Sequence, residues 1–127
     1  MKAMLLFFIF SAFQSTPEQI VQKQLDTYND RDIEGFMSII SNDVSLYNLG
    51  ESDPIASGHD RVKEIYTNLF QKSPKLHSTL KNRMVMGNKV IDHESITGRL
   101  GNDEVLELIV IYEVKADKIF KITVIRP

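Results

Sequence analysis

The sequence has 127 residues, 43% of them hydrophobic and 25% charged, with a formal net charge of −2 and no cysteine. This is the composition of one soluble globular domain able to bury a core. The charge offers no clustered basic face, so nucleic acid is not an expected partner, and the absence of cysteine excludes disulfides, thiolate metal sites and a cysteine nucleophile.

Residues 1–15, MKAMLLFFIFSAFQS, place a basic Lys2 before an apolar run from Ala3 to Phe10 and small residues at Ser11, Ala12 and Ser15. This is the layout of a signal peptide, and the run is too short for stable membrane insertion. A bulky phenylalanine two residues before either cleavage position, Ala12 or Ser15, argues instead for an apolar N-terminal segment of the domain. The first reading implies a periplasmic or secreted protein, the second a cytoplasmic one. A single domain is expected over residues 16–127.

Thr16-Pro17-Glu18-Gln19 has the spacing of a capping box with proline at the first helical position, and Val21, Leu25 and Tyr28 follow at helical period. A helix over 17–29 is predicted. Asp32 can cap a short second helix bearing Ile33, Phe36, Met37 and Ile40. Residues 43–48 alternate as a strand, and residues 49–58 read as loop with room for a brief strand. Ser57-Gly58-His59-Asp60 repeats the capping-box spacing ahead of a stripe of Val62, Ile65, Tyr66, Leu69 and Phe70, which Ser73-Pro74 ends. Strands are then predicted at 76–86, 89–98, 104–115 and 118–126, joined by turns at Gly87-Asn88, Gly101-Asn102 and Ala116-Asp117. Short turns between long strands give an antiparallel meander, so the fold class is α+β: a cone-like curved antiparallel sheet packed against three N-terminal helices.

The stretches TPEQIVQKQLDTYNDRDIEGFMSIISNDVSLYN, SGHDRVKEIYTNLF and VIYEVKADKIFKITVIRP, taken in this order, resemble the nuclear-transport-factor-2-like superfamily of cystatin-like folds, over roughly residues 16–126. It includes SnoaL-like and ketosteroid isomerase-like proteins and many small members of unassigned function. The resemblance implies a cavity between the helices and the concave sheet face, and homodimers through the sheet. Aligned on YNDRD and YEVKADKIFKI, the oxyanion tyrosine of ketosteroid isomerases falls at Gln24, the base aspartate at Asn48 and the protonated aspartic acid at Val110. Only the supporting tyrosine of the third helix is met, by Tyr66. Asn48 cannot take a proton and Val110 cannot donate one, so the resemblance does not extend to ketosteroid isomerase chemistry.

VIDHESITG, residues 90–98, sets Asp92, His93 and Glu94 side by side in an apolar strand. Alternation puts Ile91, His93, Ser95 and Thr97 on one face and Val90, Asp92, Glu94 and Ile96 on the other. By analogy with the fold, His93 is placed on the concave face near Tyr66 and Tyr112, as a general base or as an anchor for a ligand carbonyl. The alternative is a histidine satisfied by tyrosine or backbone inside a filled core. Asp92 and Glu94 then fall on the outer face, with Arg83 or Lys81 as cross-strand partners. Phe70, Met84, Met86 and Leu108 are expected in the core or pocket lining. His59, His77 and His93 lack the spacing of a metal site, and no cofactor is expected.

Two functions follow. The first is a pocket for a small apolar molecule, walled by Gln24, Asn48, Tyr66, His93 and Tyr112, with lyase or isomerase chemistry through His93 if it is an enzyme. The second is a non-catalytic dimerisation or protein-interaction module. Its basis is VLELIVIYEV, where Leu106, Leu108, Val110 and Tyr112 face one way and Val105, Ile109 and Ile111 the other, so that both faces need cover.

Overall fold

A computed structural model describes residues 14–127. The N-terminal apolar run, Ala3 to Phe10, lies outside the described residues. In chain order the elements are α1 (Pro17–Asp30), α2 (Ile33–Met37), β1 (Ile40–Asn48), β2 (Ala56–Ser57), α3 (His59–Lys72), β3 (His77–Met86), β4 (Lys89–Thr97), a 3-10 turn (Arg99–Gly101), β5 (Leu106–Lys115) and β6 (Lys118–Ile125). No helix among the described residues is long and apolar enough to cross a membrane.

The local signals at α1 act as their chemistry dictates. Thr16 Oγ1 accepts from the Gln19 amide at 3.2 Å, and the Gln19 side chain accepts from the Thr16 amide at 3.0 Å. Asp32 caps α2 through the Gly35 amide at 3.0 Å. The second expected capping box does not form: the cap of α3 is Gly58, at φ 87°, with no side-chain bond. Ile40, placed on α2 by its spacing, instead opens β1.

The strands form one sheet in the order β2-β1-β6-β5-β4-β3. The meander from β3 to β6 is antiparallel, with tight turns at Gly87-Asn88 and Ala116-Asp117. In place of the expected Gly101-Asn102 turn, a longer connection over 98–105 contains the 3-10 turn. β1 lies parallel to β6, so the sheet is mixed. The Ala116-Asp117 turn has both residues at positive φ, 51° and 60°, the primed geometry that matches strand twist. Register slips within β1, β3 and β6 bend the sheet. Its concave face packs on α1 and α3 through a core that includes Val21, Tyr28, Phe36, Val62, Phe70, Val90, Val110 and Ile122. Edge-on aromatic contacts tie the helices together, with Tyr28 and Phe36 each 5.7–5.8 Å from the Phe70 ring.

Two contacts fix the ends of the layers. The Asn29 side chain behaves like a strand residue, accepting from the Ser78 amide at 2.7 Å and donating to the Ser78 carbonyl at 3.0 Å, so the end of α1 is tied to β3. Gly98, at φ 70°, lies so close to the chain that an added Cβ would stand 2.1 Å from the Lys75 carbonyl oxygen. Only glycine fits there, and the turn that follows is held by the Leu100 amide donating to the buried Ser73 hydroxyl at 2.8 Å.

Candidate functional site

Because the bent sheet does not follow the helices closely, a cavity of about 190 Å³ remains between them. Its walls are apolar side chains of α1 and α3 (Leu25, Ile65, Leu69) and of the sheet (Leu46, Ile96, Leu106, Leu108, Val110, Ile122, Val124). Into this apolar space turn Gln24 and Tyr28 from α1, Tyr66 from α3, Glu94 from β4 and Tyr112 from β5. The exposed Arg99 and Arg126 complete the lining at its mouth.

Strand pairing decides which side chains enter. Val90 lies opposite Tyr112, Asp92 opposite Val110 and Glu94 opposite Leu108. Directly opposed residues share a face, so Asp92 and Glu94 belong with the concave row and His93 with Ile109 and Ile125 on the convex side. The expected alternation of the strand holds, but the assignment of its faces is reversed. His93 is partly exposed and lies 3.8 Å from Glu107, which is paired with Lys81 at 2.8 Å. It does not line the cavity and is not within reach of a ligand bound there. Of the five residues expected in the wall, Gln24, Tyr66 and Tyr112 meet in the cavity; Asn48 does not, sitting at the end of β1 with its amide donating to Glu51 at 3.3 Å. Met84 and Met86, expected in the core or lining, are 58% and 79% exposed, whereas Phe70 and Leu108 are buried.

Asp92 and Glu94 carry the electrostatics. Asp92 has no exposed surface and is held by Arg83 in a two-pronged pair, 2.7 Å from Nε and 2.8 Å from Nη2. The remaining arm of Arg83 donates to Gln22 at 2.8 Å. This geometry satisfies both carboxylate oxygens. Glu94, 5% exposed, has no basic partner in contact and receives only a long hydrogen bond from the Tyr112 hydroxyl, at 3.3 Å. Burial pushes its carboxyl up to about 7, and the negative charge of Asp92 adds to the shift. Tyr112, Ser78 and the more distant Arg83 oppose it without overcoming it. The Ser78 hydroxyl faces this carboxyl without closing a hydrogen bond to any group.

The tyrosines are affected in the same direction. Burial, reinforced by the charge of Glu94, pushes Tyr66 up to about 12 and raises Tyr28 and Tyr112 as well. All three remain phenols at neutral pH and can serve as hydrogen-bond donors. Gln24, 4% exposed, leaves its side-chain carbonyl oxygen without a partner. A buried acceptor left open in this way costs free energy that a bound donor would recover. Among the described residues, no group of three His, Asp or Glu side chains gathers as metal ligands. Chemically, the site offers an acid that exists in both protonation states near pH 7, phenolic donors and one open acceptor in an apolar enclosure.

The sequence from residue 21 to residue 122 matches the model of the SnoaL-like domain family. No curated protein matches it. Among solved structures, the fold is similar to an uncharacterised cystatin-fold protein from Novosphingobium aromaticivorans, with a TM-score of 0.81 and 19% identity over 89% of this chain and 100% of that one. It is also similar to a putative ketosteroid isomerase from Kribbella flavida, with a TM-score of 0.72 and 24% identity over 87% and 77% of the two chains. A third is an LEH-like epoxide hydrolase of M. tuberculosis, with a TM-score of 0.69 and 13% identity over 87% and 82%.

The raised carboxyl predicts a pH-dependent stability. The folded protein keeps the Glu94 proton up to about pH 7, whereas the unfolded chain releases it near the usual 4.5. Stability therefore falls as pH rises through this window, and stays lower above it. Urea unfolding should show the parent losing about 2–3 kcal/mol more than Glu94→Gln between about pH 5 and pH 8. Parallel losses in the two proteins would contradict the assignment. The matched family model covers most of the sequence, and the chain belongs to the SnoaL-like domain family.

Proposed function

We propose that this domain binds a compact, largely apolar molecule in the cavity between its helices and its sheet, and holds one polar group of that molecule against Glu94. The observation that carries the reading is the convergence of Glu94, Gln24, Tyr28, Tyr66 and Tyr112 in an otherwise apolar enclosure. Sites of this composition use the apolar wall for affinity and a few placed polar groups for orientation. A cavity of about 190 Å³ is smaller than the roughly 300 Å³ at which drug-sized ligands begin. It exceeds the roughly 150 Å³ that already admits benzene, so the ligand is of single-ring size.

Glu94 replaces His93 as the acid–base group in this reading. A carboxyl titrating near 7 can accept a proton from carbon or donate one to oxygen without a large mismatch to the surrounding pH. The positions matched to the ketosteroid isomerase carboxylates, Asn48 and Val110, leave no titratable group at either place, so any proton transfer would run through Glu94. Relatives described as a putative ketosteroid isomerase and an epoxide hydrolase support a fold suited to small-molecule chemistry. Calorimetric titration with single-ring ketones and alcohols, such as cyclohexanone and phenol, tests the binding. Binding to the parent should weaken about ten-fold in Glu94→Gln at pH 7, the size of one lost hydrogen bond to a charged group. Ligands that bind the variant as tightly as the parent would refute the role of Glu94.

A second reading, compatible with the first, is a homodimer through the convex face. Met84, Ile91, Ile109, Ile111 and Ile125 share that face with His93. Charged pairs border them, Lys81 with Glu107 and Lys89 with Glu113. An apolar centre inside a charged rim is the usual anatomy of an interface. Light scattering at micromolar concentration should give twice the chain mass, with Ile111→Lys monomeric; a monomeric parent would contradict the reading.

A further inference from the structure

We propose that the ligand of this cavity is an organic anion: a single-ring carboxylic acid whose carboxylate is held by Arg99 and Arg126 at the mouth, while the ring fills the apolar interior. The inference rests on the cavity reading above and adds the charge and the orientation of the occupant.

Both arginines line the same cavity as Glu94. Neither takes part in any of the salt bridges formed among the described residues. Their charges both reach the Tyr66 hydroxyl, where each favours the ionised form, so the two guanidiniums act on one region of the site. Each is carried by a defined piece of backbone. Arg99 opens the 3-10 turn that Gly98 seats against Lys75 and that the Ser73 hydroxyl anchors at Leu100. Arg126 continues the concave row of β6, two residues beyond Val124 and four beyond Ile122, so alternation turns it to the cavity side.

Two guanidiniums without carboxylate partners, bordering an apolar cavity, are matched by a planar anion able to accept paired N–H bonds. Inside the cavity the charge preference is the reverse. Glu94 is an acid, and the open Gln24 oxygen is an acceptor. The deep end therefore suits a hydrogen-bond donor, such as a ring hydroxyl, and disfavours a second anionic group. One amphipathic hydroxy acid satisfies both ends, with its carboxylate outward and its hydroxyl inward.

Calorimetric titration of the full chain at pH 7 and low salt decides the matter. The probes are benzoate, 4-hydroxybenzoate and cyclohexanecarboxylate, each set against its neutral amide, and the variants are Arg99→Gln, Arg126→Gln and Glu94→Gln. Each acid should bind at least about ten-fold more tightly than its amide. The preference should shrink several-fold in either arginine variant, while the amides bind those variants unchanged. In Glu94→Gln the ratio of acid to amide should be kept. Because both arginines are exposed, their variants should melt with the parent, so a lost preference is not a lost fold. Amides that bind as well as the acids would overturn the anion and leave the cavity reading standing. A preference that falls in Glu94→Gln but not in the arginine variants would also overturn it, because the carboxylate would then lie at the deep end. Failure of acids and amides alike would overturn both this inference and the cavity reading.

Discussion

A strand that turns two carboxylates, two residues apart, into the same dry face has to neutralise both. In β4 the two are solved differently. Asp92 is met by the Arg83 guanidinium from the neighbouring strand, with both oxygens bonded. Glu94, one step further along the row, has only a tyrosine hydroxyl and keeps its proton to about pH 7. Burial is the main cause of the second solution; the ionised Asp92 that Arg83 holds adds to it, while the charge of Arg83 itself partly offsets it. Breaking a buried pair of this kind by removing one partner costs about 3–5 kcal/mol, so Arg83 supports both the sheet and the state of the site.

The cavity depends on the same strand pairing. Bulges bend β1, β3 and β6 away from a flat sheet, and the helices bridge the resulting hollow without filling it. The aromatic cluster of Tyr28, Phe36, Tyr66 and Phe70 joins the helices above that hollow. Tyr28 and Tyr66 thus contribute packing through their rings and hydrogen-bond donors through their hydroxyls. The functional groups are not an addition to the core; they are the polar ends of residues that build it.

Much of this is legible in the sequence. The caps at Thr16 and Asp32, the apolar stripe of α3 and the tight turns at Gly87-Asn88 and Ala116-Asp117 follow from local chemistry, and they suffice for the fold class. The alternation in VIDHESITG is also readable, including the Arg83–Asp92 pairing that the Gly87-Asn88 turn fixes. Which face turns inward is not. Both faces of β4 carry apolar residues, and three adjacent ionisable side chains look like a wet surface whichever way they alternate. The segment joining β4 to β5, residues 98–105, contains the 3-10 turn and is too irregular for register to be counted through it. The register that results sets Tyr112, Val110 and Leu108 opposite Val90, Asp92 and Glu94, and turns His93 outward. Arg99 and Arg126 gave no local signal, because their placement depends on Gly98 meeting Lys75 and on the end of β6 reaching the cavity mouth.

The chemistry of the cavity depends on Glu94 being a buried acid that titrates near neutrality. A carbon-13 titration of glutamate side-chain carboxyls, with Glu94→Gln used to assign the resonance, measures this directly. One carboxyl with a midpoint near 7, missing from the variant, is expected. A Glu94 resonance that titrates with the ordinary carboxylates, near about 4.3, would contradict it.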